Sequence, residues 1–451
     1  MKPMRLWLLT VIMAVLLAGC GGSGGTTATD PGSNPKPDEA GTDQGTKTEE
    51  AVTLKMFTAY ADRANGPGKI EQEIIDAYMQ ENPNVKIEVE ALQDEPYKAK
   101  IKVYASTNQL PDIIQAWGQP SFLSPLLDND MLLELNPADF DGSHFVTGSV
   151  DGFSKDGKMY GIPRNTDYAV LYYNKKIFDD NGLKVPTTVS ELLDVVKQLR
   201  AKDINPVAIN GMEGWTLPIM FDYYAQRASG DFTLMDKAFN GEISFTDPGL
   251  IQGATDMLAF AEAKGFADGW LTADYGTARN LFGQGQAAMF FMGNWEASLA
   301  TDENFSEEFR QNVGAISFPA SDKGAQSDIA AWYGGGYAIS KNTKHADAAI
   351  AFMKYFFTPD NWPKKVWQSG AGTPAQKFDP YLTGEETELQ KQLIDIFTNM
   401  TSSAGTPLQD ISSDEFKQKS MEIHQQLLSG KITPEQFAKD LDAAAAKANG
   451  K

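Results

Sequence analysis

Trp295 stands between Asn294 and Glu296, directly after the apolar run 287–292. An indole offers a broad apolar face, and the amide and carboxylate beside it offer hydrogen-bond donors and acceptors. Together they suit a small molecule with an apolar face and a polar rim, held in a cleft. The combination recurs along the chain. Trp117 follows the short apolar stretch 112–114 and has Gln115 and Gln119 beside it. Trp215 closes the run Asn210-Gly-Met-Glu213-Gly-Trp215, and Trp332 and Tyr333 precede the triplet Gly334-Gly335-Gly336. Asp62 and Arg63 follow the first predicted strand, and Asp167 precedes the apolar run 168–173. Trp270, Trp362 and Trp367 are left out of the set. Trp367, for one, falls on a predicted helix, where an aromatic side chain usually serves the core.

The residues that catalysis needs do not group in this way. The chain has 60 Asp and Glu, but no motif singles out a pair for acid–base work. No Gly-x-Ser-x-Gly stands in 52–451. His144, His345 and His424 lie far apart and have no metal-ligand spacing. Gly334-Gly335-Gly336 and Gly283-x-Gly285 lack the Lys-Ser/Thr or the spacing of a phosphate loop, and read as tight backbone turns. No cofactor, no metal and no catalytic residue is expected.

The elements that must position these residues can be read from periodicity. Residues 52–58 read as a strand, 70–81 as a helix stopped by Pro83, and 85–90 as a strand with period-two alternation. A helix over 97–106 and a strand at 111–114 follow. This order predicts a largely parallel sheet with covering helices. The grammar restarts with a strand at 168–173. Thr188 and Glu191 form a capping box for a helix to 201, and Asp247-Pro248 opens another. Strands at 206–209, 287–292, 313–318 and 332–340 are predicted, with helices at about 345–357 and 385–399. Ser412 with Glu415, and Thr433-Pro434 with Gln436, open two final helices.

The first fifty residues are of a different kind. Lys2 and Arg5 precede a short apolar run, 6–18, that ends in Leu17-Ala18-Gly19-Cys20. The run is short of the ~20 residues that span a bilayer and reads as a signal peptide, 1–19. Leu-Ala-Gly-Cys resembles a lipobox, so Cys20, the one cysteine in 451 residues, is expected to carry lipid. Residues 20–50 are polar and Gly-rich and read as a flexible tether. The net charge of −21 becomes −23 once Lys2 and Arg5 leave with the signal. A field of that sign disfavours nucleic acid. The remaining ~400 residues exceed a single core and predict two domains.

Four stretches then resemble one family. They are Leu110-Pro-Asp-Ile-Ile-Gln-Ala-Trp117; Gly157-Lys-Met-Tyr-Gly-Ile-Pro163, running on through Val170-Leu-Tyr-Tyr-Asn-Lys-Lys-Ile-Phe178 to Pro186-Thr-Thr-Val-Ser-Glu-Leu192; Phe282-Gly-Gln-Gly-Gln-Ala-Ala-Met-Phe-Phe-Met-Gly-Asn-Trp295; and Gly334-Gly-Gly-Tyr-Ala-Ile-Ser340 with Ala348-Ala-Ile-Ala-Phe-Met353. In this order they resemble the bacterial extracellular solute-binding proteins of family 1, the maltose-binding-protein-like carbohydrate group.

The resemblance implies an α/β, two-lobe periplasmic-binding-protein (Venus flytrap) fold. Each lobe would be a mainly parallel sheet flanked by helices, with the hinge crossed three times. The crossings are expected near 163–168, 318–321 and 372–377. Lobe one would be 52–164 plus 320–372, and lobe two 168–317 plus 377–451. It further implies a sugar or oligosaccharide as ligand and the permease of an ABC importer as membrane partner. The protein would be a monomer on the extracellular face of the membrane, held by lipid on Cys20. The family position of Trp295 stacks on sugar, and Trp117 falls in another binding segment. The expected ligand-binding set is Asp62, Arg63, Trp117, Gln119, Asp167, Glu213, Trp215, Asn294, Trp295, Glu296, Trp332 and Tyr333. The late segment holds Asp410, Asp414 and Phe416 but no Trp, so maltose itself is not implied. Three alternatives stand beside this reading: the same fold binding a non-sugar solute, a secreted glycoside-active enzyme, and a surface adhesin.

Overall fold

Alternation in Val85–Ala91 turns Val85 and Ile87 inward and Lys86 and Glu88 outward. That strand pairs in parallel with Val52–Thr58, Val52 opposite Val85. The computed structural model describes residues 51–146 and 148–451. The signal peptide, Cys20 and the tether lie outside them. The first sheet runs in the order Val85–Ala91, Val52–Thr58, Ile113–Trp117, Gly335–Ile339, Ile162–Pro163. Helix Gly66–Glu81 covers one face with Ile70, Ile74, Ile75 and Tyr78, which recur at helical spacing. Helix Asp94–Ser106 covers the other with Tyr97 and Ile101. It starts three residues before the expected Tyr97, with Asp94 and Glu95 in its first turn, where carboxylates favour the helix dipole.

The second sheet is built on Thr166–Asn174, whose nine residues are all buried. Its neighbours are Ala287–Gly293 on one side and Val313–Ile316 on the other, both antiparallel; Asn205–Ala208 lies beyond Ala287–Gly293. Ala331–Tyr333 also pairs antiparallel with the start of the central strand. Two-lobe α/β architecture holds, but the mainly parallel sheets do not. The second sheet is mostly antiparallel, and Gly335–Ile339 runs antiparallel to Ile113–Trp117 in the first. The central strand's apolar run announces burial on both faces but does not fix the direction of its neighbours.

The Thr188–Glu191 capping box forms as expected. Ser413, not Ser412, caps helix Asp414–Leu428 by accepting from Phe416 N. Helix Thr216–Ser229 has no counterpart among the expected elements. It is buried nearly all round, so it shows no amphipathic stripe to read.

The lobes exchange chain three times among the described residues. The first passage joins Ile162–Pro163 to Thr166–Asn174, as expected. The second lies at Gly334, between Ala331–Tyr333 of the second sheet and Gly335–Ile339 of the first. It is not at 318–321, because Phe318 stacks on Tyr223 at 4.8 Å inside the second core. Residues 373–375 do lie against the hinge: Thr166 N donates to Thr373 O and Ala375 N to Arg164 O, each at 3.0 Å. The chain stays with the first lobe beyond them, however, since Phe378 stacks on Trp367 at 4.4 Å. It joins the second lobe with helix Glu388–Thr398, which packs on Val313–Ile316.

Candidate ligand-binding cleft

The ends of both sheets converge on a cavity of about 490 Å³ between the lobes. Strand ends of α/β sheets are where loops can present side chains to a ligand. On the second lobe, strand Ala287–Gly293 runs out into a 3-10 segment, Asn294–Ala300, kinked at Glu296, that carries Trp295. A Cβ on Gly293 would lie 2.0 Å from Cζ3 of that indole, so the ring rests on bare backbone. Trp295 stands 6.0 Å from Trp215 and 6.2 Å, edge to face, from Trp332. Tyr275 stacks on Trp215 at 6.3 Å. Four aromatic rings thus form one wall.

Behind that wall is a polar network. Trp295 Nε1 donates to Tyr275 Oη at 3.1 Å, and Tyr275 Oη donates to Glu296. Arg279 Nε donates to Glu296 Oε2 at 2.7 Å and its Nη2 to Asp302 Oδ2 at 2.8 Å. Glu296 therefore lines the cleft while holding Tyr275 and Arg279. Its duty is to fix the wall.

On the first lobe, Trp117 ends strand Ile113–Trp117, with Phe122 at 5.1 Å and Lys98 Nζ 4.8 Å over its ring. Gln119 starts the next helix, Pro120–Asp128. Asp62 lines the same side. Burial pushes its pKa up, but the Ala64 and Asn65 N–H groups and the Asn65 amide outweigh that and hold it below the usual range. At the hinge, Asp167 and Trp332 face each other across the pairing of their strands. Burial pushes the Asp167 carboxyl up to about 6, against the opposing pull of Arg164 and of the Gly335 N–H.

Asp62, Trp117, Gln119, Asp167, Trp215, Trp295, Glu296 and Trp332 thus come together around the cavity. The other four expected residues do not line it. Arg63 turns to Glu71, a carboxylate at 0 % exposure that needs a cation, and to Gln72. Asn294 is fully buried, accepting from Tyr168 N and donating to Thr166 O, each at 2.9 Å. Glu213 accepts from Asn210 at 2.8 Å. Tyr333, next to Trp332 on one strand, points to the opposite face, as the pleat requires.

Several lining residues fall outside the expected ligand-binding set. Tyr275 and Arg279 sit on the unforeseen helix Tyr275–Gly283. Arg164 precedes the central strand of the second lobe. Gln409, Asp410 and Lys417 come from the late segment. Asp410 accepts from Lys417 Nζ at 2.8 Å, from Gln409 Nε2 at 2.9 Å, and from Ser121 Oγ of the first lobe. That last bond joins the lobes at one rim, with the pair Lys102–Asp414 at 2.8 Å outside it.

Residues 61–361 match the family described as bacterial extracellular solute-binding protein. An uncharacterized ABC transporter extracellular-binding protein of Pyrococcus horikoshii is 26% identical over 362 residues, 79% of this chain and 78% of that one. The multiple sugar-binding protein of Streptococcus mutans is 26% identical over 329 residues, 69% and 72% of the two chains. A chain solved in work on xylan utilization by Caldanaerobius polysaccharolyticus superposes with a TM-score of 0.80 at 30% identity, over 87% of this chain and 99% of that one.

Proposed function

The chain belongs to the bacterial extracellular solute-binding proteins, and from that premise we propose that it captures an oligosaccharide between its lobes and delivers it to the permease of an ABC importer. The observation that carries the reading is the aromatic wall of Trp295, Trp215, Trp332 and Tyr275, set across the cleft from Trp117 and lined between with amide and carboxylate groups. A sugar ring has apolar C–H faces that stack on indole, and hydroxyls that need both donors and acceptors. Platforms on both lobes suit a ligand of more than one ring. The kinship with a sugar-binding protein of Streptococcus mutans supports the same class.

Within this reading, Trp295 and Trp117 are the stacking residues, and Asp62, Gln119, Asp167, Trp215 and Trp332 complete the site. Glu296 positions Tyr275. The ligand favours the closed state only through contacts it gains there. The protein converts nothing, works as a monomer, and is held outside the cell by lipid on Cys20. Thermal unfolding against a panel of neutral mono- and oligosaccharides tests the proposal. A ligand present at a hundred times its dissociation constant adds roughly 2.7 kcal/mol of stability, which a shift in melting temperature registers. No shift with any sugar, and a shift with a charged or peptidic solute, would replace sugar by that class.

A further inference from the structure

Among the described residues, four cationic side chains line the cleft: Lys98, Arg164, Arg279 and Lys417. Three are neutralised locally. Lys98 pairs with Asp94 and Glu95, Arg279 with Glu296 and Asp302, and Lys417 with Asp410. Arg164 has no ion pair. Its guanidinium lies 4.3 Å from the ring centre of Tyr60, 5.4 Å from Tyr337 and 5.5 Å from Trp362. Its side-chain hydrogen bond within the protein is one long contact from Nη1 to Tyr337 Oη, 3.4 Å. Nε is shut off from solvent with no acceptor, in a residue only 3 % exposed. A guanidinium carries five N–H donors in a rigid fork. Nε alone is both buried and without an acceptor, and Nη2, beside Gly335, is the donor that a ligand oxygen can satisfy at the cleft.

Asp167 is the counterpart among the carboxylates. Asp62 holds its own loop, and Asp94, Glu296, Asp302 and Asp410 hold cations. Among the described residues Asp167 has no ion pair; the Gly335 N–H and Arg164 draw on its charge without closing a pair. The second chain crossing leaves room for both groups. A Cβ on Gly334 would lie 2.7 Å from Asp167 Oδ2 and 2.9 Å from Gln119 Nε2, and one on Gly335 would lie 3.0 Å from Arg164 Nη2. Glycine is what lets donor and acceptor approach the same stretch of backbone.

We infer that Arg164 and Asp167 form a donor–acceptor pair at the hinge that grips two neighbouring hydroxyls of one uncharged sugar ring, an inference that rests on the sugar-binding reading above. Adjacent hydroxyls offer lone pairs to the fork and a proton to the carboxylate. The local charge selects against an acidic sugar. Arg164 lies within electrostatic reach of Glu71 and Asp167, and Glu71 is already paired with Arg63, so the two cations meet two carboxylates. No positive charge is left over for a uronate. The grip also falls on the segment where the chain passes between lobes, so the ligand is held at the pivot itself.

Calorimetric titration of the intact protein with maltotriose, xylotriose, chitotriose, raffinose and trigalacturonic acid tests this. A neutral sugar should bind the wild type. Arg164→Lys keeps the charge but loses the fork, and should weaken that sugar at least about tenfold; Arg164→Met should weaken it about a hundredfold, as loss of charge-assisted hydrogen bonds predicts. Asp167→Asn, nearly isosteric, should weaken it about tenfold and serves if the arginine variants fail to fold. Variants with wild-type melting temperature and a dissociation constant within twofold of wild type would overturn the grip while leaving sugar binding intact. Tighter binding of trigalacturonic acid than of the neutral sugars would overturn its selectivity. If no sugar of the panel binds the wild type, the reading beneath it falls first.

Discussion

Trp295→Ala is the most informative single substitution. The indole rests on Gly293 and is held in place by its bond to Tyr275, so its free face is fixed before any ligand arrives. A sugar laid on that face removes about 80 Å² of ring and a similar area of its own from water. At about 25 cal/mol per Å² this comes to roughly 4 kcal/mol, an upper figure because neighbouring rings close in on the gap. Loss of about 2–4 kcal/mol of binding is therefore expected, thirty- to thousandfold in dissociation constant. Trp295→Phe should lose less, since a smaller ring still stacks. Titration calorimetry on both variants, with the melting temperature of the ligand-free proteins recorded alongside, reads the effect. Half-burial against Trp215 and Trp332 also predicts a drop of a few degrees for Ala. A folded Trp295→Ala protein with wild-type affinity would refute the stacking role.

Ser121→Ala removes the bond from the first lobe to Asp410 and should loosen closure by about 1 kcal/mol, raising the apparent dissociation constant up to about fivefold. The exposed pair Lys102–Asp414 should contribute little, so Lys102→Ala is the control. Binding should also depend on pH through Asp167. With its carboxyl pushed up to about 6, it is ionised at neutral pH and takes a proton as the pH falls through that value. Ligand affinity should then decline below about pH 6, by up to tenfold per unit if the charged form alone accepts the hydroxyl; Asp167→Asn should abolish that limb, and a flat profile in the wild type would count against the role. Cys20→Ala should move the protein from the membrane fraction to the medium, as immunoblotting of the two fractions would report; unchanged retention would exclude the lipid anchor.

Much of the site was legible because it sits where strands end. Trp117 and Trp295 each close an apolar run, and a tryptophan emerging from a buried strand among amides has little reason to be there except contact. The misses have local causes. Arg63 and Asn294 have the right chemistry and the right neighbours in sequence, yet each answers a buried demand: Glu71 for a cation, the hinge strand for an amide. Periodicity does not report such demands. Tyr275 and Arg279 were out of view because helix Tyr275–Gly283 is short and follows a capping Asp274 with no strong stripe. Phe318 ends an apolar run and looks like a strand leaving the lobe, whereas its ring is held by Tyr223 and Tyr224 in the second core, so the second crossing comes later than the run suggests. Arg164 could not be singled out at all. Its importance lies in the partners it lacks, and these are visible only once every other cation in the cleft has been paired.

In the proposed function one sugar is captured between the lobes and released unaltered. Native mass spectrometry of the protein incubated with a panel of neutral oligosaccharides tests it most directly. One adduct per monomer is expected at the mass of the intact sugar, recovered unchanged after denaturation and lost in Trp295→Ala. Absence of any adduct with the whole panel, or recovery of cleaved sugar, would contradict it.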